Sequence, residues 1–219
     1  MTGNHTTTTR LIDHMCPTHV KAGRNRWPTN VDWPTLCKQC EPCRLKSSGL
    51  AVHPKILPDL TEAEHDTANA IHEAGHAVAA LVLGMPLESI EIWRAGEGGH
   101  KQDGGYTKFD ENQWNPFTDR VFPQLWAGQE ATDRWLTELG YGTDENQFDL
   151  RFMAKGDAID FDRRVAEEGL NVPSDAGIGE ARKLVSAHWR KVTALASALV
   201  IRRRMSADEV RHLVDGIVG

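Results

Sequence analysis

Residues 61–84 read TEAEHDTANAIHEAGHAVAALVLG, and this stretch decides how the central part of the chain folds. Thr61 followed three residues later by Glu64 is the pattern of a capping box at a helix start. No proline interrupts the stretch, and Gly84 stands where a helix commonly ends. Pro86 then prevents the helix from continuing. The sequence therefore predicts one helix over roughly 62–83.

The pentapeptide His72-Glu73-Ala74-Gly75-His76 lies inside this predicted helix. Residues four apart share one helix face, so both imidazoles can reach one metal ion. Neutral imidazoles suit Zn²⁺, and a site with three protein ligands leaves one position for water. Glu73 can take a proton from that water and later pass it to a leaving amine. The motif predicts a zinc metallopeptidase with Glu73 as the general base.

The residues around the pentapeptide resemble the FtsH-type (M41) zinc peptidases, whose active-site helix has the core HEAGHA followed by small and apolar residues. Three later stretches fit in the same order. Residues 87–93 look like the strand after that helix, 104–107 like its Gly-x-Thr partner strand, and 125–131 like the second helix with its small-Gly pair. The resemblance covers roughly residues 60–215, and it implies a zincin-like helical peptidase domain that hydrolyses peptide bonds.

The third zinc ligand is less clearly marked in the sequence. In the resembled family it is an aspartate that opens a later helix and precedes an apolar residue. Asp160 and Asp149 both have this form. The order of the later helices favours Asp160, because residues 156–161 look like the polar, glycine-containing turn before that helix. Asp160 is therefore the predicted ligand and Asp149 the alternative, while Asp157 and Asp162 are less favoured choices.

Two hallmarks of that family are missing from this sequence. There is no G-x-x-x-x-G-K-[ST] phosphate-binding loop. The longest apolar run, over 77–87, is far shorter than the ~20 residues of a membrane-spanning helix. Residues 1–9 are polar and do not form the apolar part of a secretory signal. We expect an ATP-independent, cytoplasmic peptidase module without a membrane segment, acting on proteins or peptides. The possible partners are an ATPase or adaptor protein and further copies of the same chain in a homo-oligomer.

Charge divides the chain into two predicted parts. The whole chain has a net charge of −6, with 40% hydrophobic and 26% charged residues, which is typical of a globular protein. Residues 1–58 hold eight Lys or Arg against three Asp or Glu, a balance of +5 that leaves −11 for the rest. We predict a basic N-terminal segment over 1–58 and an M41-like peptidase domain over 59–219.

All four cysteines lie in the basic N-terminal segment. Cys16 with His19 and Cys37 with Cys40 form two pairs suited to a tetrahedral structural zinc, with Cys43 as a spare or alternative ligand. An iron–sulfur cluster or unligated thiols are the other interpretations. Two disulfides would need an oxidising compartment, to which nothing else in the sequence points. Because so short a segment can hardly bury a core, a second, structural zinc would supply its folding energy.

The remaining pattern predicts a mainly α domain with a small β-hairpin, an α+β fold. The expected elements are a strand over 87–93, a mobile glycine-rich loop over 96–105, a return strand over 106–109, a helix over about 115–139 that Pro123 shortens or kinks, a helix over about 179–203, and a final short helix capped by Ser206 and Glu209.

A competing function belongs to another class of protein. In this alternative the N-terminal metal knuckle of a regulatory protein binds DNA or a protein, and the peptidase-like domain is non-catalytic. The intact Glu73 argues against it, because a structural zinc site does not need that carboxylate. Nucleic-acid binding is not favoured, since a charge of +5 is a weak signal.

Overall fold

The computed structural model describes residues 60–110, 121–141, 155–167, 169–172 and 176–217. The basic N-terminal segment and its cysteines lie outside these residues. Within them the chain is mostly helical with a small antiparallel sheet, which confirms the predicted α+β class. The elements are, in chain order, α1 (Glu62–Val82), β1 (Leu87–Trp93), a 3₁₀ turn (Glu97–Gly99), β2 (Gly104–Phe109), α2 (Val121–Glu138), α3 (Lys155–Glu167), α4 (Ile178–Ala187), α5 (Trp189–Arg202), β3 (Arg204–Ser206) and α6 (Ala207–Asp215).

Helix α1 is the central element and begins as the sequence predicts. The Thr61 hydroxyl accepts a hydrogen bond from the backbone N–H of Glu64, and the Glu64 carboxylate accepts one from the backbone N–H of Thr61 at 2.7 Å. Gly84 follows the helix with a left-handed φ of 71°. The helix contacts α2, α4, α5, α6 and the strands β1 and β2. It therefore lies in the middle of the described domain.

Gly75 allows α1 and α2 to pack with their backbones close together. A Cβ added at Gly75 would lie 2.6 Å from the carbonyl oxygen of Ala127 and 2.8 Å from the Cβ of Ala131. Real Cβ atoms do not approach backbone oxygens this closely, so a larger residue would separate the helices. The glycine inside the pentapeptide thus brings α2 against the face of α1 that carries the histidines.

The sheet has the order β2-β1-β3, and both pairs are antiparallel. Ile90 in the central strand lies opposite Thr107 of β2 and Met205 of β3. The predicted hairpin is confirmed, with the return strand starting at Gly104, two residues earlier than expected. Strand β3 is only three residues long, and the sequence did not predict it.

The glycine-rich loop between β1 and β2 is tied together by several contacts. The indole N–H of Trp93 donates to the carbonyl of Gln102 at 3.1 Å, and the Trp93 and His100 rings stack with centroids 4.0 Å apart. The backbone N–H of Ala95 donates to Asp103 at 2.7 Å. The loop expected to be mobile from its glycines is therefore organised around Trp93.

The predicted long helix near the C-terminus is two helices. His188, with φ −115° and ψ 20°, separates α4 from α5. Neither glycine nor proline marks the break, so the sequence pattern did not reveal it. The final helix α6 starts with the predicted capping box, in which the Ser206 hydroxyl accepts from the Glu209 N–H and the Glu209 carboxylate accepts from the Ser206 N–H.

Two hydrophobic clusters hold the domain together. The main cluster joins α1, β1, α5 and α6 with residues of α2, α4 and β3, and its members include Ile71, Val78 and Ile90. The second cluster joins α2, α3 and α4 around Phe161, which is 2% exposed. The Phe161 ring lies 5.5 Å from that of Trp126. Helix α3 is thus anchored on α2 through Phe161 and lies outside the main core.

None of the helices described is both long enough and apolar enough to cross a membrane.

Candidate metal centre

Two histidines of α1 and one carboxylate of α3 point their ligand atoms at one another. The Nε2 atoms of His72 and His76 are 3.0 Å apart. Asp157 Oδ2 lies 3.2 Å from Nε2 of His72 and 3.3 Å from Nε2 of His76. Among the residues that the structure describes, this is the one group of three or more His, Cys, Asp or Glu side chains with metal-ligand spacing.

These three atoms fit a small metal ion. Tetrahedral Zn²⁺ with bonds of about 2.0–2.1 Å holds neighbouring ligand atoms about 3.3 Å apart. The observed separations of 3.0–3.3 Å are close to this value. Asp157 Oδ2 is buried and makes no hydrogen bond of good geometry, although two ring nitrogens are near it. A buried oxygen without a hydrogen-bond donor lowers the stability of the fold, and coordination to a cation would give this oxygen a partner.

His76 is held with its Nε2 facing Asp157. The residue is 4% exposed, and its Nδ1 lies 2.8 Å from the backbone carbonyl oxygen of Gln124 on α2. A carbonyl only accepts, so Nδ1 carries the proton and donates it. This fixes the tautomer that leaves the Nε2 lone pair free for a metal. Nothing in the sequence marks Gln124 as part of the site, because any residue offers a backbone carbonyl.

Gly128 gives the two imidazoles their room on the α2 side. An added Cβ there would collide with Nε2 of His76 and lie 2.8 Å from Cε1 of His72. The backbone of α2 therefore forms one wall of the site. In the sequence, Ala127-Gly128 is similar to the small-Gly pair in the second helix of the resembled family, but no place in the site was predicted for it.

Glu73 lies next to the ligands but against the sheet. The residue is 6% exposed, and the Thr107 hydroxyl donates to Oε2 at 2.6 Å. Burial raises the pKa of Glu73, against the nearby His72 and His76, whose positive charge would lower it. A raised pKa brings a carboxylate closer to the value that a general base or acid needs near neutral pH.

Without a metal, His76 and Asp157 form an ion pair. Burial by itself would lower the pKa of His76, but the negative charge of Asp157 outweighs it and raises the pKa to about 9. Burial would raise the pKa of Asp157, yet the two imidazoles hold it well below its ordinary value. A bound cation would take the place of the proton on His76 Nε2.

The predicted ligand Asp160 lies elsewhere. Its side chain is 49% exposed and accepts a hydrogen bond from Arg163 at 3.0 Å, and it does not join the two histidines. The physical reason is the start of α3: residues 156–161 are helical instead of forming a turn, so Asp157 is the aspartate in the first helical turn. Asp162 is also not in the cluster. The alternative Asp149 lies outside the described residues.

The predicted structural metal site cannot be placed in the same way. Its five candidate ligands, Cys16, His19, Cys37, Cys40 and Cys43, all lie outside the described residues. The second zinc thus stays a prediction from sequence.

Comparison with known proteins adds no assignment. The chain matches no protein-family model, and no curated protein is significantly similar to it. The resemblance to FtsH-type peptidases therefore depends on the motif residues themselves.

Proposed function

We propose that this chain is a zinc-dependent endopeptidase with a zincin-like site. His72, His76 and Asp157 hold the ion, and Glu73 is the general base. The observation that carries the proposal is the convergence of three ligand atoms within 3.3 Å beside a buried carboxylate that is not one of them. A purely structural zinc site would have no use for that fourth group, and would normally have four protein ligands.

The residues of the chain divide the chemistry between them. A bound Zn²⁺ supplies Lewis acidity to a water molecule and to the carbonyl oxygen of the scissile peptide. Glu73 accepts the proton of the attacking water, holds it inside the buried site, and delivers it to the leaving nitrogen. Because its pKa is raised, Glu73 takes up this proton more readily than an exposed carboxylate would. The Gln124 carbonyl keeps His76 in the tautomer that ligation requires.

The sheet favours an extended substrate. Strand β2 is at the edge of the three-stranded sheet in the described part of the chain, and its other side is paired with β1. Glu73 packs against this same strand through Thr107. A peptide that adds to the edge of β2 as a further strand would run beside the metal centre. The proposed substrates are therefore unfolded or flexible segments of proteins.

The experiment that tests this function uses Glu73→Gln. The variant should keep the zinc content of the wild type, because Glu73 is not a ligand, while cleavage of unfolded casein falls by about 10²- to 10⁴-fold. Zinc is measured by mass spectrometry and cleavage by fluorescence. The matched control is Glu180→Gln, which changes an exposed glutamate on α4 and should leave both values unchanged.

A chelator arm completes the test. Removal of metal should abolish cleavage, and addition of Zn²⁺ should restore it. Casein cleavage by Glu73→Gln at the wild-type rate, or wild-type cleavage that survives complete metal removal, would contradict the proposed mechanism.

A further inference from the structure

Strand β2 holds the Glu73 carboxylate in a socket made by Gly105 and Thr107. These two residues are two apart, so they face the same side of the strand, towards α1. The Thr107 hydroxyl donates to Glu73 Oε2 at 2.6 Å. A Cβ added at Gly105 would lie 2.5 Å from Glu73 Cγ and 2.8 Å from Oε1. We call this pair of residues the carboxylate socket.

We propose that Thr107 is the positioning residue of the general base, with Gly105 providing the space that the carboxylate needs. This inference rests on the proposed peptidase function. Glu73 has three side-chain torsions, and a base must keep one oxygen directed at the water it deprotonates. Thr107 engages Oε2, so the remaining oxygen, Oε1, is the one presented to the water.

The Thr107 hydroxyl also has a second acceptor. Its Oγ1 lies 3.2 Å from the backbone carbonyl oxygen of Glu73. When Glu73 is ionised, the hydroxyl proton is on the Oε2 side. When Glu73 holds a proton at Oε2, Thr107 Oγ1 can accept it in a hydrogen bond and turn its own proton to the carbonyl. One hydroxyl therefore supports the carboxyl group both before and after proton transfer.

The structure offers a way to separate the hydroxyl from the shape of the side chain. Thr107 is 7% exposed and lies opposite Ile90 in the sheet. Valine keeps the branched shape, which suits a strand, and removes the hydroxyl. Serine keeps the hydroxyl and removes only a methyl group. Thr107→Val and Thr107→Ser are thus a matched pair in which only the first loses the proposed function.

The test compares these variants with the wild type on a fluorogenic peptide. Mutation of residues that hydrogen-bond to metal ligands typically lowers activity by about 10- to 100-fold. We expect a similar decrease in kcat for Thr107→Val, with KM and zinc content unchanged. Thr107→Ser should stay within about threefold of the wild-type kcat. If Thr107→Val is not folded, Thr107→Ala replaces it, since alanine also lacks the hydroxyl.

A double variant shows whether Thr107 acts through Glu73. In the Glu73→Gln background the further change Thr107→Val should cost little, because the group it positions is already gone. A cost that is the same in both backgrounds would overturn the proposal, since Thr107 would then act independently of Glu73.

A readout without peptidase activity separates this proposal from the proposed function. In protein labelled with ¹³C at the glutamate carboxyl groups, the Glu73 signal is identified by its loss in Glu73→Gln. This signal should shift in Thr107→Val and remain in place in Thr107→Ser. Full activity and an unshifted signal in Thr107→Val would overturn the positioning role while leaving the peptidase intact. A wild type without metal-dependent cleavage would overturn both, whatever the signal does.

Discussion

His72 and Glu73 are neighbours in sequence, and the structure gives their side chains different surroundings. The His72 side chain is 21% exposed and faces Asp157, whereas Glu73 is buried against β2. Successive side chains on a helix point about 100° apart, so one helix can present a ligand to the metal and a base to the sheet. The pentapeptide could thus supply both of the proposed roles only because α1 packs against β2 as well as against α2.

The third ligand can be tested by exchanging single aspartates. Loss of a residue that only hydrogen-bonds to a metal ligand usually weakens metal binding by about 10- to 100-fold. Asp157→Asn changes a proposed ligand itself, so it should weaken zinc binding by more than that. Asp160→Asn changes an exposed residue on the same helix and should bind zinc like the wild type. Competition with a zinc chromophore measures both affinities. Equal affinities in the two variants would remove Asp157 from the ligand set.

The ion pair in the metal-free site predicts a pH dependence of stability. The folded-state pKa of His76, about 9, is above its ordinary value of 6.5, so its contribution is complete below pH 6.5 and is lost as pH rises towards 9. The pKa of Asp157 is lowered, so its contribution is present above its ordinary value of 3.8 and is lost as pH falls below it. The free energy of unfolding of the metal-free protein should therefore decrease as pH rises from 6.5 to 9.

Urea unfolding in the presence of a chelator measures this dependence. The Asp157→Asn variant lacks the carboxylate that raises the pKa of His76, so its stability should change less over the same pH range. A metal-free wild type whose stability rises between pH 6.5 and 9 would contradict the assigned ion pair.

At the scale of single residues, sequence reasoning placed His72, Glu73 and His76 on one helix and ranked Asp157 below Asp160 as the third ligand. The spacing of His72 and His76 predicted their common helix face, because that spacing is a property of one helix. Asp157 comes from a separate helix, and nothing local distinguishes it from Asp160. The contacts of Gln124 and Thr107 with the site depend on how α2 and β2 pack on α1.

At the scale of elements, local chemistry decided what could be predicted. Helices α1 and α6 begin with capping boxes, and both starts were predicted from the sequence. The break at His188 and strand β3 have no such local mark. Strand β3 forms because Arg203 ends α5 with a left-handed φ of 64°, and the next residues pair with β1. That pairing depends on residues more than a hundred positions away.

The packing of α1 on α2 predicts the effect of Gly75→Ala. The new methyl group would meet the Ala127 carbonyl and the Ala131 side chain, so the unfolding free energy should fall by about 1–3 kcal/mol. Gly179→Ala on α4 is the matched control, because nothing lies within 4 Å of its added Cβ. That change should stabilise the helix by about 0.5–1 kcal/mol. Urea unfolding distinguishes the two, and equal stabilisation would show that the helices are not closely packed at Gly75.

At the scale of the whole molecule, the candidate metal centre joins two parts of the domain. His72 and His76 belong to α1, which is buried in the main hydrophobic cluster. Asp157 belongs to α3, which is held through Phe161 in the second cluster. Helices α2 and α4 contribute residues to both clusters, and α2 also packs against both α1 and α3. The site is therefore complete only when both clusters are formed.

The metal content of the whole chain tests the predicted division near residue 58. If Cys16, His19, Cys37 and Cys40 hold a structural zinc, the intact protein should contain two zinc ions and a chain beginning at Pro58 only one. The shortened chain should still cleave unfolded casein, because every residue of the proposed active site lies beyond residue 60. One metal per intact chain, with four thiols that react freely under native conditions, would contradict the predicted knuckle.

Roughly 80 residues of chain separate His76 from Asp157, so an ion bound to both would tie distant segments together as a disulfide does. Unlike a disulfide, this link is lost when the free zinc concentration falls and the ion dissociates. An ion present at 100 times its dissociation constant adds about 2.7 kcal/mol to folding stability, and that gain disappears as the ion is withdrawn. Zinc starvation would then lower the stability of the fold as well as the proposed peptidase activity. It would loosen α3 from the rest of the fold and expose the idle protein to degradation, so that its abundance follows the zinc supply of its surroundings.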